Sequence, residues 1–143
     1  MQAQQLSAAS LAVTDEHRLI QAADVLVSDG RVLLDEIPCL LNFGDFKVPF
    51  RVSVICQQKA FQELGVDTIN HIILQAYHKG RSTIDPDFQY LPSEIKMSYN
   101  PMLKDWSLTH SFTYRDTSGN EKSHLLAMDF DANGQFRTMK RVY

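Results

Sequence analysis

Trp106-Ser107-Leu108-Thr109-His110-Ser111-Phe112-Thr113-Tyr114-Arg115 alternates without a fault. Trp106, Leu108, His110, Phe112 and Tyr114 fall on one side of an extended chain, and Ser107, Thr109, Ser111, Thr113 and Arg115 on the other. Period two sustained over such a stretch marks a β-strand with one buried and one wet face.

Downstream, two turns share one logic. Asp116-Thr117-Ser118-Gly119 and Asp131-Ala132-Asn133-Gly134 each place Asp at the start of a type I turn and Gly where positive φ is needed. Each predicts a three-residue hairpin loop with a glycine bulge, pairing Asp116 with Asn120 and Asp131 with Gln135. Phe112 then faces His124, His110 faces Leu126, Leu108 faces Met128, and Phe130 faces Phe136. A two-residue loop would slip the register and set Phe130 against Arg137. The apolar matching favours the bulged version and a three-stranded terminal meander.

Upstream, Val48, Phe50, Val52, Val54 and Cys56 share a face and predict a second strand over 47–56. The segment 31–41 is apolar but holds Pro38, which suits an edge or irregular strand. Residues 57–79 read as helix in two pieces, the first closed by Gly65 and the second capped by Asp67. Ile69, Ile72, Ile73 and Ala76 form the stripe of the second piece, with Tyr77 beside it and Gly80 as a left-handed stop. Asp85-Pro86 and Leu91-Pro92 make 81–93 a loop or lid, followed by a short strand over 94–99. Near the start, Thr14-Asp15-Glu16 resembles a helix cap, with Leu19, Ile20, Ala23 and Leu26 at helical spacing. The competing reading is a hairpin about Asp29-Gly30. The helix is preferred because the apolar spacing begins well before Val25. The expected fold is thus α+β: a curved antiparallel sheet ending in the meander and packed on two or three helices. Residues 1–13 are a frayed lead-in and 14–143 one domain.

The composition narrows the function classes. The chain has 143 residues, 44% of them hydrophobic and 22% charged, with formal net charge −3. That is ordinary globular composition. Lys and Arg are scattered, so nucleic acid is not an expected partner. No apolar run reaches the roughly 18 residues that span a bilayer, so no membrane partner is expected. The N-terminus lacks a signal peptide's pattern, which points to the cytoplasm; a periplasmic home stays open if a signal has been removed. Cys39 and Cys56 lack redox or zinc spacing and read as buried thiols in a reduced compartment.

The residues that could carry chemistry lie on the inner face of the meander. Trp106, His110, Phe112, His124, Leu126 and Met128 are the candidate ligand-binding set. His110 and His124 sit diagonally, within about 7–8 Å. On a concave apolar face they could serve as acid and base, but each also reads as a buried histidine satisfied by one hydrogen bond. Asp129-Phe130-Asp131-Ala132-Asn133-Gly134 imitates half a calcium loop, yet Arg137 and Lys140 occupy the ninth and twelfth positions, so no metal is expected. His71 and His78 suit a solvated helix edge. Asp85, Asp87 and Glu94 are loop acids, one of which could act as a general base. No nucleophile triad, phosphate loop or dinucleotide fingerprint is present, and no cofactor is expected.

The order helix, strand pair, helix, short strand, meander resembles the cone-shaped α+β fold of the nuclear-transport-factor-2-like superfamily. The ending Leu125-Leu126-Ala127-Met128-Asp129-Phe130-Asp131-Ala132-Asn133-Gly134-Gln135-Phe136 is similar to the last hairpin of many members. The resemblance implies a pocket between curved sheet and helices, and frequent dimers through the outer sheet face. It carries over no catalytic residue. Two functions are therefore expected as alternatives. One is a domain binding an apolar or aromatic small molecule. The other is a non-catalytic interaction module, either a homodimer or an inhibitor- or immunity-type partner of another protein.

Overall fold

The structure, a computed structural model, describes residues 17–143. The expected lead-in over 1–13 and the cap at Thr14-Asp15-Glu16 lie outside the described residues. Seven strands form one curved, open sheet in sequential order. They are β1 (Leu26–Ser28), β2 (Arg31–Asn42), β3 (Lys47–Gln57), β4 (Gln89–Asn100), β5 (Asp105–Arg115), β6 (Glu121–Asp131) and β7 (Phe136–Arg141). One helix, α1 (Gln58–Ser82), joins β3 to β4 and packs on one face. Every pairing is antiparallel except β3 with β4, which the helical crossover makes parallel.

The helix content is lower than the sequence suggests. The apolar spacing from Leu19 to Leu26 does not make a helix among the described residues. Ala22–Asp24 is a single 3₁₀ turn, and Leu26–Ser28 pairs with Arg31–Leu33 about Asp29-Gly30. Both turn residues hold positive φ, at 54° and 73°, so the Asp-Gly hairpin chemistry outweighs the spacing. The helical stretch begins at Gln58 and, as the sequence predicts, is divided at Gly65, which leaves helical geometry at φ 82° and ψ 167°. Its buried stripe is Ile69, Ile72, Ile73, Ala76 and Tyr77, as the spacing predicts. The segment 81–93 is only partly a loop, because β4 begins at Gln89 and absorbs Leu91-Pro92 at a register slip.

β3 runs as expected, with Val48, Phe50, Val52, Val54 and Cys56 all buried. Pro38 lies on β2 where β1 has ended, so its missing amide breaks no ladder there. Further along, Arg18 and Leu40 exchange backbone hydrogen bonds of 2.7 and 2.8 Å, which covers part of that edge. The Asn70 side chain both donates to and accepts from the backbone of Ile20, at 2.9 and 3.0 Å, and ties this segment to α1.

The terminal meander follows the bulged register throughout. Phe112 faces His124, His110 faces Leu126, Leu108 faces Met128, and Phe130 faces Phe136. Asp116 and Asp131 each accept two backbone N–H groups of their own turn, at 2.9 Å, and Gly119 and Gly134 hold φ of 89° and 85°. The two glycines differ in surroundings. A Cβ at Gly119 would meet nothing, whereas one at Gly134 would sit 3.4 Å from Thr68, His71 and Ile72 of α1. Gln75 also donates to the Gly134 carbonyl at 2.6 Å, so the second turn is docked on the helix.

Replacing Gly119 with Val should therefore cost about 1–3 kcal/mol in urea unfolding, and Asn far less, because Asn tolerates positive φ. At Gly134 the same order should hold, since a Cβ there would make only van der Waals contact with α1.

Candidate functional site

His110 is completely buried. A sealed imidazole needs partners for both nitrogens. The β4–β5 ladder slips between Pro92 and Glu94, and beside that slip the Glu94 carbonyl accepts from His110 Nδ1 at 3.1 Å. A carbonyl can only accept, so Nδ1 carries the proton and Nε2 is the acceptor. The Tyr90 hydroxyl then donates to Nε2. Burial pushes the His110 pKa down from 6.5 to about 4 and drives the Tyr90 phenol upward, so both groups are neutral in ordinary buffer.

Room for this pair comes from Gly80. An added Cβ there would lie 2.4 Å from the Tyr90 oxygen and 2.9 Å from His110 Cδ2. Gly80 is thus not a left-handed helix stop, because α1 runs on to Ser82. It is glycine because β4 and β5 press two polar side chains against the helix backbone.

Tyr90 is also a wall of a cleft. β3 and β4 pair only from Arg51/Glu94 to Ile55/Ser98, although both strands begin earlier, at Lys47 and Gln89. Pro49 and Pro92 lie in those unpaired lengths and lack the amide donors that a longer ladder would need. The strands part there, and the last turns of α1 cross the opening. The resulting cleft of about 440 Å³ is walled by Phe46, Tyr77, Phe88 and Tyr90, with Lys47 and Arg81 among its lining. Tyr77 stacks on Phe43 at 5.7 Å and meets Tyr90 at 5.3 Å, while Phe88 stacks on Tyr114 at 5.6 Å. Phe46 is 56% exposed at the lip.

None of the expected site residues lines this cleft. Trp106, Phe112, Leu126 and Met128 are buried at 2% exposure or less. Phe112 touches the back of Tyr90, ring centres 4.9 Å apart. His110 and His124 share a face, as the register predicts, but the Phe112 ring stands between them, at 5.4 and 5.7 Å. His124 is half-buried, with Nδ1 bonded to the Tyr143 carbonyl at 3.1 Å. Neither histidine lines the cleft, and the two form no hydrogen-bonded acid–base pair. Trp106 Nε1 has no hydrogen-bond partner among the described residues. His71 and His78 are exposed. Of the loop acids, Asp85 accepts the Asp87 amide at 2.8 Å, and Glu94 meets Lys96 at 3.7 Å. Among the described residues no cluster of His, Cys, Asp and Glu could hold a metal, and the Asp131 carboxylate is taken up by its own turn. Cys39 and Cys56 are free and buried, and burial pushes their thiols up to about 12 and about 11, which makes them poor nucleophiles. No helix among the described residues is long and apolar enough to cross a membrane.

Sequence reasoning misses Tyr90, Gly80 and Arg81. A faint signal exists: Tyr90 and Pro92 alternate in period two, and Ile95, Met97 and Tyr99 resume it one residue out of phase. That one-residue jump is the mark of a bulge. Comparison with protein-family models, with curated proteins and with solved structures returns no match.

Two tests address the buried pair. In the folded protein His110 protonates near pH 4, but in the unfolded chain near 6.5. The unfolded state therefore binds more protons between those values. Stability should be fully present above about pH 6.5 and fall as pH drops toward 4, by on the order of 3 kcal/mol. His110→Leu should flatten that part of the urea-unfolding profile. Gly80→Ala should destabilise by about 1–3 kcal/mol despite alanine's helix preference. A double-mutant cycle should show a smaller loss when Tyr90→Phe removes the crowded oxygen.

Proposed function

We propose that this chain binds a small apolar or aromatic molecule in the cleft between the carboxyl end of α1 and the splayed starts of β3 and β4. The observation that carries the reading is the ring of four aromatic side chains around an open space of about 440 Å³. That size and lining suit a small-molecule site, which is generally concave, mostly apolar and preformed. The walls are held before any ligand arrives: Tyr90 by His110, Tyr77 by Phe43, Phe88 by Tyr114. Preformed walls lower the ordering cost of binding. Of the candidate set Trp106, His110, Phe112, His124, Leu126 and Met128, His110 and Phe112 enter this proposal, as the residues that back Tyr90. A nuclear-transport-factor-2-like relationship belongs to the same reading; a curved sheet with a helix on one face supports it only at that coarse level.

A thermal-shift screen of small aromatic compounds should find ligands that raise the melting temperature by roughly 2–4 °C near saturation. The shift should vanish in Phe46→Ala and Phe88→Ala. Flat curves across a broad screen, or equal shifts in both variants, would contradict the proposal.

The interaction-module reading rests on the other sheet face. α1 covers one face, and the opposite face carries the continuous row Leu26, Leu33, Ile55, Ser98, Ser107, Asp129, Thr138. Its apolar end is open, with Leu26, Leu33 and Ile55 exposed at 69%, 38% and 48%. A homodimer through this row should appear in light scattering as a mass that rises with concentration, and Ile55→Lys should hold the protein monomeric. A constant monomer mass would sink the homodimer version of this second reading.

A further inference from the structure

The cleft is one-signed. Lys47 and Arg81 line it and no carboxylate does. Neither cation forms an ion pair among the described residues. Arg81 instead donates to the backbone carbonyls of Asp85 and Pro86, at 3.3 and 2.7 Å, which orients the guanidinium without neutralising it. The Asp85 carboxylate accepts the Asp87 amide at 2.8 Å. Within the lining itself the side-chain charge is of one sign, and aromatic walls of low dielectric sharpen its effect.

Resting on the cleft reading above, we infer that the ligand is a small aromatic carboxylate. Its ring lies between the faces of Phe46, Tyr77 and Phe88, and its acid group meets Arg81 and Lys47. A planar guanidinium held by two carbonyls matches the two oxygens of a carboxylate, while Lys47 adds a mobile point charge. A phosphate head would be served by converging backbone N–H groups, and this lining instead contains Pro49 and Pro92, which have none.

The test compares 2-naphthoate with its neutral isostere 2-naphthamide by titration calorimetry on the full chain. Naphthoate should bind about tenfold tighter or more at low salt, and added salt should weaken naphthoate alone. Arg81→Gln and Lys47→Gln should each erode the preference, and Arg81→Lys should keep part of it. Lys47 is exposed, so its variant reports on charge even if the Arg81 change disturbs the loop. Equal affinity for the two probes would overturn the carboxylate inference and leave the aromatic cleft standing. A preference that survives both Gln variants would also overturn it. Binding of neither probe, with no aromatic hit in the thermal screen, would remove the cleft reading as well.

Discussion

The buried imidazole of His110 constrains everything around it. It is wholly sealed, so both ring nitrogens must be satisfied from inside the protein. One partner is the Glu94 carbonyl beside the β4 slip, and the other is the Tyr90 hydroxyl. Those two contacts determine the tautomer, draw Tyr90 across the sheet, and demand a residue without a side chain at position 80 of the helix. The fit of α1 on the sheet and one wall of the cleft thus meet at a single polar group in an apolar layer. Partly satisfied networks of this kind are costly, so the arrangement is specific as well as stable.

The cleft has its own origin in the backbone. A parallel β3–β4 pair exists only because α1 carries the chain back over the sheet between them. Prolines in the leading lengths of both strands mark where that pair comes apart, and the helix ends above the opening. Aromatic side chains from four places in the sequence, 46, 77, 88 and 90, converge there. Catalysis would need an acid or base in the cleft lining, and that lining offers Tyr77, Tyr90, Lys47 and Arg81. Burial holds both tyrosines protonated.

Much of the sheet is legible in the sequence, for a physical reason. Strands 47–57 and 105–131 are buried on one face only, so polar and apolar residues must alternate, and the paired Asp-x-x-Gly turns pin the register. Leu19 to Leu26 misleads because helical spacing over about two turns arises by chance, whereas Asp-Gly dictates a specific backbone. Leu91-Pro92 misleads in the opposite sense: proline at a bulge remains within a strand. The aromatic face of the meander and its burial are readable, but the position of the open cleft is not, because that depends on where the helical crossover lands. Gly80 has no sequence signal beyond its type, since the pressure on it comes from residues ten and thirty positions away.

His110 is neutral, protonated on Nδ1, and holds Tyr90 as a rigid wall of the cleft. Long-range proton–nitrogen NMR of the histidine rings across a pH titration tests this most directly. One imidazole should stay in the Nδ1–H form through neutral pH, titrate only near 4, and lose that behaviour in Tyr90→Phe. An Nε2–H tautomer at position 110, or an imidazole there that titrates near 6.5, would contradict it.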